Sequence, residues 1–258
     1  MTDWVRDGWL LLPRDARVGR WADAAREAAG AILRDPAQRA RWLRHGGTWF
    51  AGVDALPNAA DGSIGGAPLA GPWERFVARP PSWHRAQLSV VFPGYPRRDP
   101  DETDAAHRFR RDRDAAHLDG LLPEGPARRR HLREPHAFIL GLPLTGMTAE
   151  AAPFVVWEGS HHVIGRAFAA ALGGRDPATW GDVDLTDVYQ SARREVFATC
   201  PRRIVAAGPG ETILCHRRCI HGTAPWPASQ GAAPHPAEGR AVAWFRPLID
   251  DPRAWLAD

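Results

Sequence analysis

Apolar and polar positions along this chain follow two different periods, and the change from one to the other organises it. Residues 4–12, Trp-Val-Arg-Asp-Gly-Trp-Leu-Leu-Leu, predict a turn at Asp7-Gly8 entering a short buried strand that Pro13 stops. Over residues 19–34 the apolar positions Trp21, Ala25, Ala28 and Ile32 keep the spacing of one helical face, and Asp35-Pro36 ends that helix. Residues 46–72, rich in Gly, Ala and Pro, read as irregular connection, with a short helix started by Pro72 and running through Trp73, Phe76 and Val77.

From there the period becomes that of strands. Residues 86–92 form a β-rich run closed by Pro93-Gly94. Residues 97–113 are dense in Asp, Glu and Arg without helical order and read as a solvated loop, or else as a mobile flap leading into His117. Residues 121–126 predict a loop, and Arg128, Arg129, Arg130 and Arg133 a solvated basic patch after it. Strands are expected at 137–142, 153–157, 203–207, 212–216, 219–221 and 240–245. Helices are expected at 163–172 and 187–198, the second capped by Thr186, and a Pro/Gly/Ala-rich loop spans 223–239. Helices first, then short strands at frequent intervals with helical insertions, give a mainly β sandwich or barrel with flanking helices. A single domain over residues 1–258 follows, with an N-terminal helical part of about 1–80 packing on the β core.

Composition removes several function classes. The 33 cationic residues are all Arg, which excludes Schiff-base lysine chemistry and the P-loop lysine. The abundance of Ala, Arg, Gly and Pro looks like codon bias, and no basic helix interleaved with aromatics marks a nucleic-acid site. No segment is long and apolar enough to span a membrane. Cys200, Cys215 and Cys219, an odd set behind an N-terminus without a charged leader, point to free thiols in the cytoplasm.

Chemistry concentrates at His117-Leu118-Asp119. In extended chain the two-residue repeat puts both polar side chains on one side, supplying an imidazole and a carboxylate to a divalent cation. Of the eleven histidines, His45, His84, His107, His131 and His235 lie in polar or irregular sequence and read as surface groups. His221 instead ends the apolar pair Cys219-Ile220 and precedes Gly222-Thr223, where backbone can approach a site closely. Two histidines and one carboxylate leave three octahedral positions open, as non-haem Fe(II) oxygenases need for cosubstrate and O₂. Arg240, opening the last strand, offers a fork for a second carboxylate. A competing metal reading gathers Cys200, Cys215, His216, Cys219 and His221 as a zinc cluster, although their spacing fits no common finger.

Taken in order, several short motifs resemble the phytanoyl-CoA dioxygenase family. They are Arg6-Asp7-Gly8-Trp9, His117-x-Asp119, Gly159-Ser160-His161 after a strand, Gly208-Pro209-Gly210-Glu211 leading to His221-Gly222-Thr223, and an Arg opening the last strand. The resemblance covers nearly the whole chain and implies a double-stranded β-helix (jelly-roll, cupin-like) core using Fe(II) and 2-oxoglutarate. It implies His117, Asp119 and His221 as iron ligands, Arg240 on the distal carboxylate of 2-oxoglutarate, and Thr223 hydrogen-bonding the same carboxylate. The implied activity is hydroxylation of a small-molecule substrate by O₂, with release of succinate and CO₂. A related halogenating group lacks the carboxylate that Asp119 provides. Glu158 replaces the family's usual Pro, and the long loop between His221 and Arg240 makes Arg246 a competitor for the cosubstrate. Gln87 is placed on a strand that could line the same pocket. The alternatives are a hydrolytic metal site on the same three ligands and a non-catalytic binding module.

Overall fold

A computed structural model describes residues 2–227 and 239–257. In chain order the first elements are α1 (Trp4–Asp7), β1 (Trp9–Leu12), α2 (Ala16–Arg34), α3 (Pro36–Trp42), β2 (Leu43–Arg44), β3 (Trp49–Phe50) and β4 (Gln87–Val91). Next come α4 (Asp104–Asp112), β5 (Leu121–Glu124), β6 (Arg129–Leu132), β7 (Phe138–Pro143), β8 (Phe154–Trp157) and α5 (Ser160–Leu172). The chain closes with α6 (Thr186–Thr199), β9 (Arg202–Val205), β10 (Thr212–His216), β11 (His221–Thr223), β12 (Arg240–Phe245) and α7 (Arg253–Leu256).

Two sheets face each other. The larger has the order β1-β10-β7-β12-β4-β3-β2 and the smaller β11-β8-β9, with every pair antiparallel. An isolated bridge between His117 and His221 extends the smaller sheet by the segment that carries the His-x-Asp motif. Sequentially distant strands alternating between the two sheets make the jelly-roll.

Strand alternation decides what each face buries. On β12, Ala241, Ala243 and Phe245 pack with Trp21, Ala25 and Ala29 of α2 on the outside of the larger sheet. Val242 and Trp244 turn inward, where they meet Phe154 and Val156 of β8 between the sheets. On the far side, Val155 and Trp157 of β8 pack against Ile164 and Phe168 of α5 and Val196 of α6. The result is helix, sheet, sheet, helix, with the inter-sheet space as the only layer both sheets line.

Most expected strands are present, and the differences have local causes. Residues 4–7 close into one helical turn because the Asp3 carboxylate accepts from Val5 and Arg6 N–H, rather than forming a simple turn. α2 starts a turn earlier than its apolar spacing suggests, capped by Asp15. Helix α5 begins at Ser160, ahead of the expected 163. The expected helix after Pro72 is a single 3₁₀ turn, Pro72–Arg75. Residues 97–113 are not devoid of order: Thr103 caps α4, which buries no side chain and so has no apolar period to reveal it. The expected loop at 121–126 and the basic patch after it are the hairpin β5–β6. Thr186 lies inside α6, and the carboxylate of Asp184 accepts from its N–H. Of the loop 223–239, residues 228–238, His235 among them, lie outside the described residues.

His216, ending β10, is buried beside Trp4 and His161, with Nδ1 accepting from the Arg218 N–H. Burial, with Arg217, His161 and Arg218 nearby, pushes its pKa down to about 2. The unfolded chain therefore takes up a proton below about pH 6.5 that the folded chain refuses, so stability is lost as pH falls. The loss expected from this group at pH 5 is about 2 kcal/mol, roughly several degrees in thermal midpoint. Thermal unfolding of the metal-free protein between pH 7 and 5 checks this: His216→Asn should flatten the slope by about one proton, and an unchanged slope contradicts the assignment.

Candidate active site

His117 and Asp119 leave the chain on either side of Leu118, whose N–H donates to the Tyr189 hydroxyl of α6 at 3.2 Å. The segment before them is held tightly. Asp114 and Ala115 adopt left-handed backbone at φ 54° and 52°, a conformation that costs non-glycine residues energy and persists where surroundings enforce it. Arg202 grips the Asp114 carboxylate with two bonds of 2.7 and 2.8 Å, and the Asp114 carbonyl accepts from Thr223 N–H. Gly222 is required at this crossing, because a Cβ there would lie 2.1 Å from the Asp114 oxygen. Gly120, at φ 84°, has its own missing Cβ 2.1 Å from the Glu134 carbonyl oxygen.

His221 enters from the opposite side. Ser160, first residue of α5, accepts from the Ile220 N–H at 2.9 Å and fixes the approach to β11. Its neighbour His161 bonds the Val5 carbonyl through Nε2 at 2.9 Å, so this motif braces the fold and stays out of the site.

The structure brings His117, Asp119 and His221 together, with one potential ligand atom from each within 4.8 Å of the others. His117 Nε2 lies 3.1 Å from Asp119 Oδ1, and His221 Nε2 lies 3.4 Å from Asp119 Oδ2. Each imidazole uses Nδ1 on a backbone carbonyl at 3.0 Å, that of Ala115 for His117 and of Cys219 for His221. This fixes both rings and leaves the Nε2 lone pairs facing the carboxylate, as metal-bound histidines require. Burial alone would raise the Asp119 pKa, but Arg246 and the two imidazoles hold it well below the usual carboxylate range. Burial pushes His221 down despite Asp119, which keeps it neutral and ligand-competent. These donors fit a divalent cation.

Arg240 opens β12 and Arg246 follows its last residue, and their surroundings differ. Arg240 is 2% exposed, and its Nε and Nη2 have no hydrogen-bond partner among the described residues. Burial lowers its pKa to about 10, leaving it protonated at neutral pH, with the Tyr95 phenol nearby. A fully buried guanidinium short of acceptors costs several kcal/mol unless an anion completes it, and a carboxylate fits that deficit. Arg246 is bound to Asp119 through Nε and donates from Nη1 to Gln87 Oε1 at 2.6 Å, while its backbone N–H donates to His84 Nε2 at 2.7 Å. It therefore sits at the cation site rather than apart from it.

A cavity of about 940 Å³ opens over the three ligands, with Thr223, Gln87 and Arg246 in its walls. Two groups here escape sequence reasoning. His45 is buried, stacked on Trp49 with ring centroids 5.8 Å apart, and His84, which reaches solvent, also lines the cavity. Arg246, which the sequence marks only as a competitor for the cosubstrate, follows the last residue of β12 and reaches the cation site. The alternative zinc cluster is not assembled: Cys215 and Cys219 are buried between the sheets, and Cys200 follows α6. Among the described residues, His117, Asp119 and His221 are the only metal-competent group. Two of the four arginines after the motif are ion-paired, Arg129 with Asp184 and Asp187, and Arg133 with Glu124 and Asp182, and Arg130 donates to the Leu121 carbonyl.

No family model and no curated protein matches the chain. Among solved structures, EctD from S. alaskensis with 2-oxoglutarate and 5-hydroxyectoine aligns with a TM-score of 0.50 at 18% identity, over 96% of this chain and 74% of that one. SnoK, a non-heme alpha ketoglutarate dependent carbocyclase from nogalamycin biosynthesis, aligns with a TM-score of 0.47 at 14% identity, over 95% and 81% of the two chains. The likeness to EctD is one of fold, the same mainly antiparallel jelly-roll with flanking helices.

Proposed function

We propose that this chain is an Fe(II)- and 2-oxoglutarate-dependent oxygenase of the phytanoyl-CoA dioxygenase type that hydroxylates a small-molecule substrate. The observation that carries this reading is Arg240, a buried guanidinium short of acceptors at the start of β12, the strand that leads to Arg246 at the metal-competent triad. A metal hydrolase built on the same triad has no use for it. His117, Asp119 and His221 would hold the iron, Arg240 the distal carboxylate of 2-oxoglutarate, and Thr223 the same carboxylate through its hydroxyl. Residues 1–258 act in this reading as a single oxygenase domain. When bound, Fe(II) with 2-oxoglutarate supplies O₂ activation that converts the cosubstrate to succinate and CO₂ and the substrate C–H to C–OH.

The residues of the chain do the rest. The carbonyls of Ala115 and Cys219 orient the two imidazoles, and Arg246 holds one carboxylate oxygen of Asp119. Tyr189 and Ser160 fix the backbone on either side. Phe154 and Trp244 wall the cavity with apolar surface that limits water near the reacting centre. Three free cysteines and the absence, among the described residues, of any helix long and apolar enough to cross a membrane support a cytoplasmic enzyme acting on a small molecule. With Mn(II) as a redox-inert substitute, calorimetry should give metal-dependent 2-oxoglutarate binding. Binding that is absent, or indifferent to the metal, contradicts the reading.

A further inference from the structure

Arg246 has one N–H pair left over. Its Nε serves Asp119 and its Nη1 serves Gln87, whereas Nη2 makes no hydrogen bond among the described residues and belongs to a side chain 21% exposed in the cavity wall. The guanidinium is pinned at two points, on Asp119 and Gln87, and the backbone N–H of the same residue donates to His84, so that free edge has a fixed direction. His136 stands in the same wall, 5% exposed, with the Arg246 backbone beside its ring and the Glu134 carboxylate 3.6 Å from its Nε2. Burial lowers the His136 pKa to about 4, so it presents a neutral ring at physiological pH.

Charge points the same way. With a divalent cation, the 2-oxoglutarate dianion and ionised Asp119 in place, Arg240 and Arg246 together leave the centre with one positive charge uncompensated. The other carboxylates of the wall, Asp54, Glu134 and Asp250, reach solvent, which screens their opposition to an incoming anion. The cavity over the ligands is large: about 940 Å³ in all stands near the top of the range for small-molecule sites, about 300–1,000 Å³. Trp49, Leu118, Leu121, Phe154, Trp244 and Leu248 give it a mainly apolar lining.

We infer that the primary substrate is an amphipathic monocarboxylic acid, whose carboxylate docks on Nη2 of Arg246 and whose apolar body fills the cavity above the triad. This rests on the oxygenase reading for the reaction but not for the binding. Arg240, opening β12, takes the cosubstrate, and Arg246, just past the end of that strand, takes the substrate. Because Arg246 also holds Asp119, a bound acid sits beside the metal-ligand carboxylate, within reach of the centre. The paired arginines after the His-x-Asp motif argue against a phosphate-rich carrier such as a coenzyme A ester, since their charges are already met by Asp and Glu.

The test is calorimetric titration of the full chain at saturating Mn(II) and 2-oxoglutarate. The probes are dodecanoate, cyclohexanecarboxylate and 2-naphthoate, each beside its carboxamide. At least one acid should bind about tenfold more tightly than its amide, the worth of one charge-assisted bond pair. Arg246→Gln should bring that ratio to within about twofold, and Arg246→Lys, which keeps the charge without the fork, should retain part of it. Equal binding of every acid and amide, no binding by any probe, or a ratio that survives Arg246→Gln overturns the inference. Metal-dependent 2-oxoglutarate affinity is measured first in each protein. Its loss with the acid preference intact removes the oxygenase reading alone, and the reverse pattern removes only the substrate class.

Discussion

Asp119→Ala is expected to lower 2-oxoglutarate turnover by about 10³-fold or more, because it removes the one anionic ligand of the proposed iron site. The effect reaches beyond the lost bond. Asp119 is the hub of the centre, touching both imidazoles and Arg246, so its removal leaves three groups without their common partner. Arg246 then places a cation against the vacated position and repels the metal. Asp119→Asn retains the shape and some hydrogen bonding but not the charge, so it should fall nearly as far. Anaerobic metal titration separates the two contributions, since a pure positioning role predicts near-normal metal affinity in the Asn variant. Turnover retained by Asp119→Ala contradicts the ligand assignment.

Arg240→Gln is expected to weaken 2-oxoglutarate binding by about 10²-fold while leaving Mn(II) affinity within about threefold, since two charge-assisted bonds are lost by a residue outside the metal-competent triad. Stability should rise or hold, because the variant removes a buried cation that the metal-free protein leaves short of acceptors. That pairing of weaker cosubstrate with undiminished stability is what distinguishes a binding arginine from a structural one. Arg246→Gln provides the comparison, and a larger loss of 2-oxoglutarate affinity there than in Arg240→Gln assigns the cosubstrate to Arg246 instead. Thr223→Val should add a smaller loss, about tenfold or less, if its hydroxyl bonds the same carboxylate.

What could be read from residues alone followed from how strongly local pattern was enforced. The last strand has the predicted bounds, residues 240–245, because every one of its positions is buried and no Gly or Pro interrupts it. The apolar face of α2 was equally plain, since Trp21 and Ala25 pack directly on the larger sheet. Helix α4 and the β5–β6 hairpin escaped for the opposite reason. The first is a helix of charged residues held by a Thr103 cap, and the second is built from Leu-Leu-Pro-Glu and an arginine run without alternation. His45 was misread because its burial comes from Trp49 and Asp99, which no neighbouring residue reveals.

The candidate site divides along similar lines. His117 and Asp119 are two residues apart, so an extended backbone alone unites them, and the His117–His221 bridge then brings in a residue more than a hundred positions away. The role of Arg246 required knowing that Asp119 and Gln87 converge on it across three separate strands or segments. Ser160 and Tyr189 act through single backbone N–H groups, a function that leaves no compositional trace.

The central claim, that these residues form an iron- and 2-oxoglutarate-dependent centre, is tested most directly by following succinate. The protein is reconstituted anaerobically with Fe(II) and 2-oxoglutarate, then exposed to O₂ with the acid probes present. The predicted result is Fe(II)-dependent formation of succinate that a chelator stops and that both Asp119→Ala and Arg240→Gln suppress. Succinate no higher than in the metal-free control, with any probe, contradicts the claim.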